Sequence, residues 1–290
     1  MNEHVTVTGA GGYIGRHVVR ALNSRGVPVT AVSRRDLGST FADLDMVSTL
    51  VADVLSPSAA VDKELSASTA LVHLAWEDGF VLASPKHALR LSAHYRFLAH
   101  AAELGVHRIA PAGTMHEIGY WEGAIDETTP SRPQNLYGIA KAALRDLLMA
   151  SADLSSSELL WLRFHYILGD DENNNSIFSK ILAAESSGQE KFPFTSGRNL
   201  YDFIEVEHLA EQIASAILQN RVSGIIDCCS GDPQSLGSRV EEFLAQHGLA
   251  LQLDYGAYPD RQFDSPGLWG DSTKIRQIMS ETMDSTGERE

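Results

Sequence analysis

VTVTGAGGYIG, Val5 to Gly15, is the stretch whose reading decides the fold. Val5–Thr8 is a β-branched run of the kind that forms a buried strand. Gly9, Gly12 and Gly15 follow at intervals of three, and a stretch of helical periodicity, Tyr13–Ser24, begins inside them. In such a strand–turn–helix the first glycine permits the tight turn and the second lets a pyrophosphate approach the backbone. The third lets the helix pack on the strand, and the free N–H groups at the helix start carry the phosphate charge. A glycine triplet alone is weak; its place between a strand and a helix gives it force.

Outward from this turn the chain alternates. Val27–Ser33, Thr49–Asp53, Ala70–Ala75, Arg108–Ala112, Leu159–Phe164 and Gly224–Cys228 read as strands, and Pro85–Leu104 and Tyr137–Ala152 as helices. Gly26 and Gly105 stand where left-handed helix ends are expected. Alternating strands and helices imply an α/β fold, a Rossmann-like doubly wound parallel sheet covered on both faces. After Gly169 the texture turns irregular, with the polar runs GDDENNNS and SSGQEKFPFTSGRN. The expected division is a dinucleotide-binding unit over residues 1–168, with a return segment near 202–228. A smaller, partly interleaved C-terminal substrate-binding region covers 169–201 and 229–280, and a flexible tail covers 281–290. No internal repeat is seen.

Composition narrows the partners. The 290 residues are 43% apolar, enough for one large domain or two modest ones. No eighteen-residue apolar run, signal peptide or transit peptide is read, so no membrane partner and a cytoplasmic location are expected. A net charge of −15 argues against nucleic acid or an anionic membrane surface. An anionic ligand must then be held by a few local cations and backbone N–H groups. Cys228 and Cys229, the two cysteines, are adjacent; they suit buried positions in a reducing compartment and form no metal site.

The second strand ends in VSRRD. A site for NAD would place an acid there for the ribose 2′-hydroxyl. Ser33, Arg34 and Arg35 instead suit a 2′-phosphate, because guanidinium groups bind phosphate bidentately. NADP(H) is therefore preferred; NAD(H) is the alternative, with Asp36 on the ribose. Asp53, ending the third strand, is placed to accept from the adenine amino group. Further on, PQNLYGIAK sets Tyr137 and Lys141 four residues apart on one helix face. An ammonium beside a phenol favours the phenolate and makes the pair a candidate proton-transfer device.

The glycine triplet, VHLA at the end of the fourth strand, Thr114 at the end of the fifth, Tyr137-x-x-x-Lys141 and NLYDFIEVEHLA occur in that order. From about residue 4 to about 245 the chain resembles the extended short-chain dehydrogenase/reductases, the nucleotide-sugar epimerases, dehydratases and reductases. The resemblance implies that Thr114 hydrogen-bonds the reacting oxygen, that Tyr137 is the general acid/base and that Lys141 holds the nicotinamide ribose. It places His73, Leu74 and Ala75 along the cofactor, with Tyr13, Ile14 and Val54 beside it, and Trp76 and Ser176 toward the substrate. Two positions depart from the family: Tyr166 replaces an asparagine and Tyr201 an arginine, leaving Lys180 and Arg198 as candidate cations.

After Thr114 come Met115 and His116, where hexose 4,6-dehydratases resemble Asp-Glu. Methionine donates no proton, which argues against that reaction. His116 is read either as a base or as pocket wall, and Glu117 as a buried acceptor for backbone N–H groups. The implied activity is NADPH-dependent reduction of a nucleotide-linked 4-keto-(6-deoxy)hexose. The alternative is a nucleotide-sugar epimerase with transient oxidation by bound NAD, and a third is a non-catalytic NAD(P)-sensing protein. Relatives often pair the two long helices, which implies a homodimer. Pro111 is unexplained, since a central strand needs its N–H groups.

Overall fold

The structure, a computed structural model, describes residues 3–169, 176–260 and 265–287, with side chains to 281; the polar run 170–175, residues 261–264 and the end of the expected tail, 288–290, lie outside it. Seven parallel strands form the main sheet. They are β1 (Val5–Thr8), β2 (Val29–Ser33), β3 (Val47–Val51), β4 (Ala70–His73), β5 (Arg108–Thr114), β7 (Glu158–Phe164) and β11 (Gly224–Cys228). Their order, β11-β7-β5-β4-β1-β2-β3, reverses between β1 and β4. Such a switch point opens a crevice at the carboxyl ends of the strands, where α/β sheets bind ligands.

Both faces are covered because these strands are apolar on both sides. In β7, Leu160 and Leu162 join one core with α1 (Gly15–Ser24), α6 (Val206–Leu218) and α8 (Thr273–Gly287). Trp161, pointing the opposite way, joins the other core with α2 (Ala59–Ala67), α3 (Lys86–Glu103) and α4 (Leu136–Ala150). The third strand begins and ends two residues earlier than Thr49–Asp53, and α2, capped by Ser58, was not read from the sequence.

Pro111 finds its account in the ladder. β5 pairs with β7 at Ile109↔Leu159 and again, in the same register, at Ala112↔Leu162. In a parallel ladder the single missing Pro111 N–H removes both intervening pairs. The flanking bonds keep the register, and on the other side Pro111 still pairs with His73 of β4.

The C-terminal region is built of short strands. β12 (Pro233–Ser235), β10 (Leu200–Glu205), β14 (Gly267–Gly270) and β6 (Gly123–Ile125) form a second sheet, and β8 (Tyr166–Leu168) pairs off β10. β9 (Lys191–Pro193) and β13 (Gln252–Asp254) pair separately. α5 (Ile177–Ser186) and α7 (Leu236–His247) close over a core containing Phe178, Phe194 and Phe243. β6 comes from the first half of the chain, so the two regions interleave. Asp202 of β10 is fully buried and accepts from Ser230 N, Gly231 N and Gly270 N, which ties β10, β14 and the turn after β11 together.

Candidate active site

The glycine turn brings backbone against backbone. Gly9 has a φ of +69°, and a Cβ there would lie 2.7 Å from Ala75 N. A Cβ on Gly15 would lie 2.3 Å from Gly9 O, so only hydrogen fits where α1 starts. Ile14 is the N-terminal flank of α1 and makes no side-chain cap. Tyr13 Oη donates to Gly169 O at 2.7 Å, tying the turn to the strand after β7.

Over this turn lies a cavity of about 480 Å³. Gly9, Gly12, Ser33, Arg34, Asp53, Val54, Leu74, Ala75 and Trp76 line it, with Arg35, Asp36, Glu77, Arg90 and His94. A side-chain-free cradle beside a helix N-terminus, walled by three carboxylates and three guanidinium groups, fits a dinucleotide. The polar groups are engaged locally. Asp53 Oδ1 accepts from Leu55 N at 3.1 Å and Asp36 Oδ1 from Gly38 N at 2.9 Å. Arg34 Nη1 donates to Glu77 Oε1 at 2.5 Å.

The structure brings Thr114, His116, Tyr137 and Lys141 together. Thr114 ends β5 and caps the short 3-10 turn Met115–Glu117, its Oγ1 accepting from His116 N. Asn135 caps α4 through Gly138 N, which sets Tyr137 and Lys141 on the helix's inward face. The Tyr137 ring lies 6.0 Å from His116, 5.2 Å from His87 and 6.2 Å from Trp76, centroid to centroid. Lys141 Nζ donates to Ala112 O at 2.7 Å and sits 3.8 Å from the Trp76 ring centroid. Burial lowers the Lys141 pKa to about 7, with the Glu117 charge opposing. Burial also raises the Tyr137 phenol, Glu117 adds to the rise, and a Thr114 hydrogen bond pulls against it. The expectation that the lysine charge depresses the phenol is thus outweighed by desolvation. His116 is pushed down to about 4 by burial and stays neutral.

Two arrangements were not read from the sequence. Around Glu117, which is fully buried, Oε1 accepts from Thr114 N at 2.7 Å and from Trp161 Nε1 at 2.9 Å, while Oε2 accepts from Arg145 Nη1 at 2.9 Å. Arg163 Nε lies 3.9 Å from Oε2. The expectation of a buried backbone acceptor holds for Thr114 N. The two arginines had a signal in the sequence: each interrupts an apolar run. Gly113 belongs to this network, since a Cβ there would lie 2.3 Å from Trp161 Nε1.

The second arrangement is a histidine cluster. Buried His73 bonds Thr8 Oγ1 through Nδ1 at 2.8 Å and His94 Nδ1 through Nε2 at 2.9 Å. Trp76 stacks on His94 at 4.3 Å and donates its Nε1 proton to His87 Nδ1 at 3.0 Å. The His87 proton therefore sits on Nε2 and goes to Val81 O. Burial holds His94 at about 3 and His73 well below its ordinary value.

On the substrate side, Tyr166 lies 4.2 Å from Tyr201 and 5.8 Å from Phe203, an aromatic group where the family pattern has an asparagine and an arginine. Ser176 caps α5 by accepting from Ser179 N. Lys180 on α5 and Arg198 before β10 are exposed, and neither lines the cavity. Among the described residues, no three His, Cys, Asp or Glu side chains are grouped to hold a metal, and no helix is long and apolar enough to cross a membrane.

Residues 5–228 match the profile of the NAD dependent epimerase/dehydratase family. The chain is 45% identical over 270 residues to the dTDP-6-deoxy-L-talose 4-dehydrogenase (NAD(+)) of Aggregatibacter actinomycetemcomitans, covering 92% of this chain and 99% of that one. It superposes on MoeE5 in complex with UDP-glucuronic acid and NAD with a TM-score of 0.79 at 25% identity, over 96% of this chain and 92% of that chain. A UDP-N-acetylglucosamine 4-epimerase from Methanobrevibacter ruminantium M1, 18% identical, shares the fold at a TM-score of 0.82 over 96% of this chain and 92% of its own. The glycine cradle, the Thr114–Tyr137–Lys141 group and the full-length match lead to one conclusion: the chain belongs to the NAD-dependent epimerase/dehydratase family and is an NAD(P)-dependent enzyme of the extended short-chain dehydrogenase type.

Proposed function

We propose that this protein is an NAD(P)-dependent oxidoreductase working at C4 of a nucleotide-linked 6-deoxyhexose, interconverting the 4-hydroxy and 4-keto sugars. The observation that carries the reading is Tyr137 set among Thr114, His116 and Lys141 at the carboxyl end of β5, beside the glycine cradle. A 4-dehydrogenase and a 4-keto reductase are one catalyst run in two directions. The keto reduction read from the sequence and the 4-dehydrogenase activity of the relative thus concern the same bond.

Gly9, Gly12, Leu74, Ala75 and Lys141 would hold the dinucleotide, which when bound would supply the hydride exchange with the sugar carbon. The Thr114 hydroxyl holds the reacting oxygen, and Tyr137 passes the proton to or from it. Lys141 sits on the same helix face with its ammonium fixed by Ala112 O and Trp76. His116, neutral and a weak proton acceptor, serves as pocket wall. Tyr166 and Tyr201 replace the family's polar grip with an aromatic surface toward the substrate.

For the cofactor, NAD(H) has the better support: the 45% identical relative is named for NAD(+), and Arg34 is engaged by Glu77. NADP(H) keeps one supporting observation, that Ser33, Arg34 and Arg35 line the cavity. Buried, unbonded Cys228 and Cys229 suit the cytoplasm. Exposed Leu89 on α3 and Ile139 and Leu147 on α4 suit the pairing of two copies.

The test is Tyr137→Phe, assayed with dTDP-6-deoxy-L-talose and NAD(+) by reduced-cofactor absorbance. Turnover is expected to fall by roughly 10²–10⁴-fold with dinucleotide binding retained. A variant as fast as the wild type overturns the assignment.

A further inference from the structure

We propose that Glu77 sets the cofactor preference of this enzyme, holding Arg34 away from a 2′-phosphate. The inference rests on the oxidoreductase reading above. Arg34 follows β2 and Glu77 lies four residues beyond β4, so the two residues come from the strands that flank β1 and its glycine turn. Their side chains meet in the wall of the dinucleotide cavity, with Arg34 Nη1 on Glu77 Oε1 at 2.5 Å. Arg90, from α3, brings its Nε to 3.5 Å from the other oxygen, Oε2.

Two consequences follow. A guanidinium bound to a carboxylate is not free for the bidentate grip that makes arginine a phosphate reader. The carboxylate places a negative charge where a 2′-phosphate would have to sit beside Arg34, and like charges repel. Both favour NAD(H), although no acid ends β2. Arg34 is more than half exposed, so it is free to swing once Glu77 loses its charge.

The experiment is fluorescence titration of the full chain with NADH and NADPH for the wild type, Glu77→Gln, Arg34→Ala and the double variant. The wild type is expected to bind NADH more tightly. Glu77→Gln, of the same size and partly exposed, is expected to tighten NADPH relative to NADH by about tenfold, the order of one charge-assisted hydrogen bond. The gain is expected to vanish in the double variant. A wild type that prefers NADPH, a ratio unmoved in Glu77→Gln, or a gain that survives without Arg34 each overturns the inference while leaving the oxidoreductase reading intact. A wild type that binds neither dinucleotide overturns both.

Discussion

Replacing Lys141 with methionine tests the electrostatics of the site independently of turnover. The lysine is buried, and the bond to Ala112 O, the Trp76 face and the Glu117 charge do not offset the water it gives up; its pKa falls from 10.5 to about 7. Between those values the unfolded chain holds the proton and the folded protein releases it. The unfolded state then binds more protons, and stability rises with pH across the window. The cost of burying this group is about 4 kcal/mol at pH 7 and about 2 kcal/mol at pH 9, from the two pKa values and linkage. Urea denaturation of the wild type and Lys141→Met at both pH values isolates the contribution, because every other titrating group is common to the two proteins. The wild type is expected to gain about 2 kcal/mol more than the variant between pH 7 and pH 9. Equal gains, or a larger gain in the variant, would show that Lys141 is not desolvated as its position implies.

Glu117→Gln removes the carboxylate that buried Arg145 and Arg163 share, leaving Arg145 with Asp146 and Arg163 with Asp227, and loosens the Thr114 N–H bond. A stability loss of about 2 kcal/mol is expected, with a fall in kcat, since a buried charge-assisted hydrogen bond to Arg145 is weakened while each arginine keeps one acid. Unchanged urea midpoints would refute this. For assembly, light scattering is expected to give a dimeric mass for the wild type and a monomeric one for Leu89→Asp combined with Ile139→Asp, which puts charge on exposed apolar positions of α3 and α4. A monomeric wild type would remove the α3–α4 pairing.

What was legible in the sequence was what is local. The glycine turn, the strands of the main sheet and the Tyr137–Lys141 face each depend on residues within a few positions of one another, so period and spacing reveal them. The second sheet escaped because its strands are short and pair across the chain: Gly123–Ile125 lies beside Gly267–Gly270, and Tyr166–Leu168 beside Phe203–Glu205. No period develops over three residues. The boundaries moved for a related reason, as a strand ends where its partner's register ends, which sets Val47–Val51 against β2.

The site divides along the same line. Thr114, Tyr137 and Lys141 could be named from motif and position. The contacts that govern their charge could not, because Glu117 gathers its partners from residues 145, 161 and 163, and Lys141 meets Trp76 and, through it, His94. Arg34 shows the consequence most clearly. At the end of β2 it reads as a phosphate ligand, and by residue type that reading is sound. Its partner in the fold lies 43 residues away, and a carboxylate there changes which ligand the same guanidinium can hold. On the inference drawn above, the chemistry of Arg34 is decided from the strand next but one in the sheet, so that the motif gives the cofactor class and Glu77 the preference.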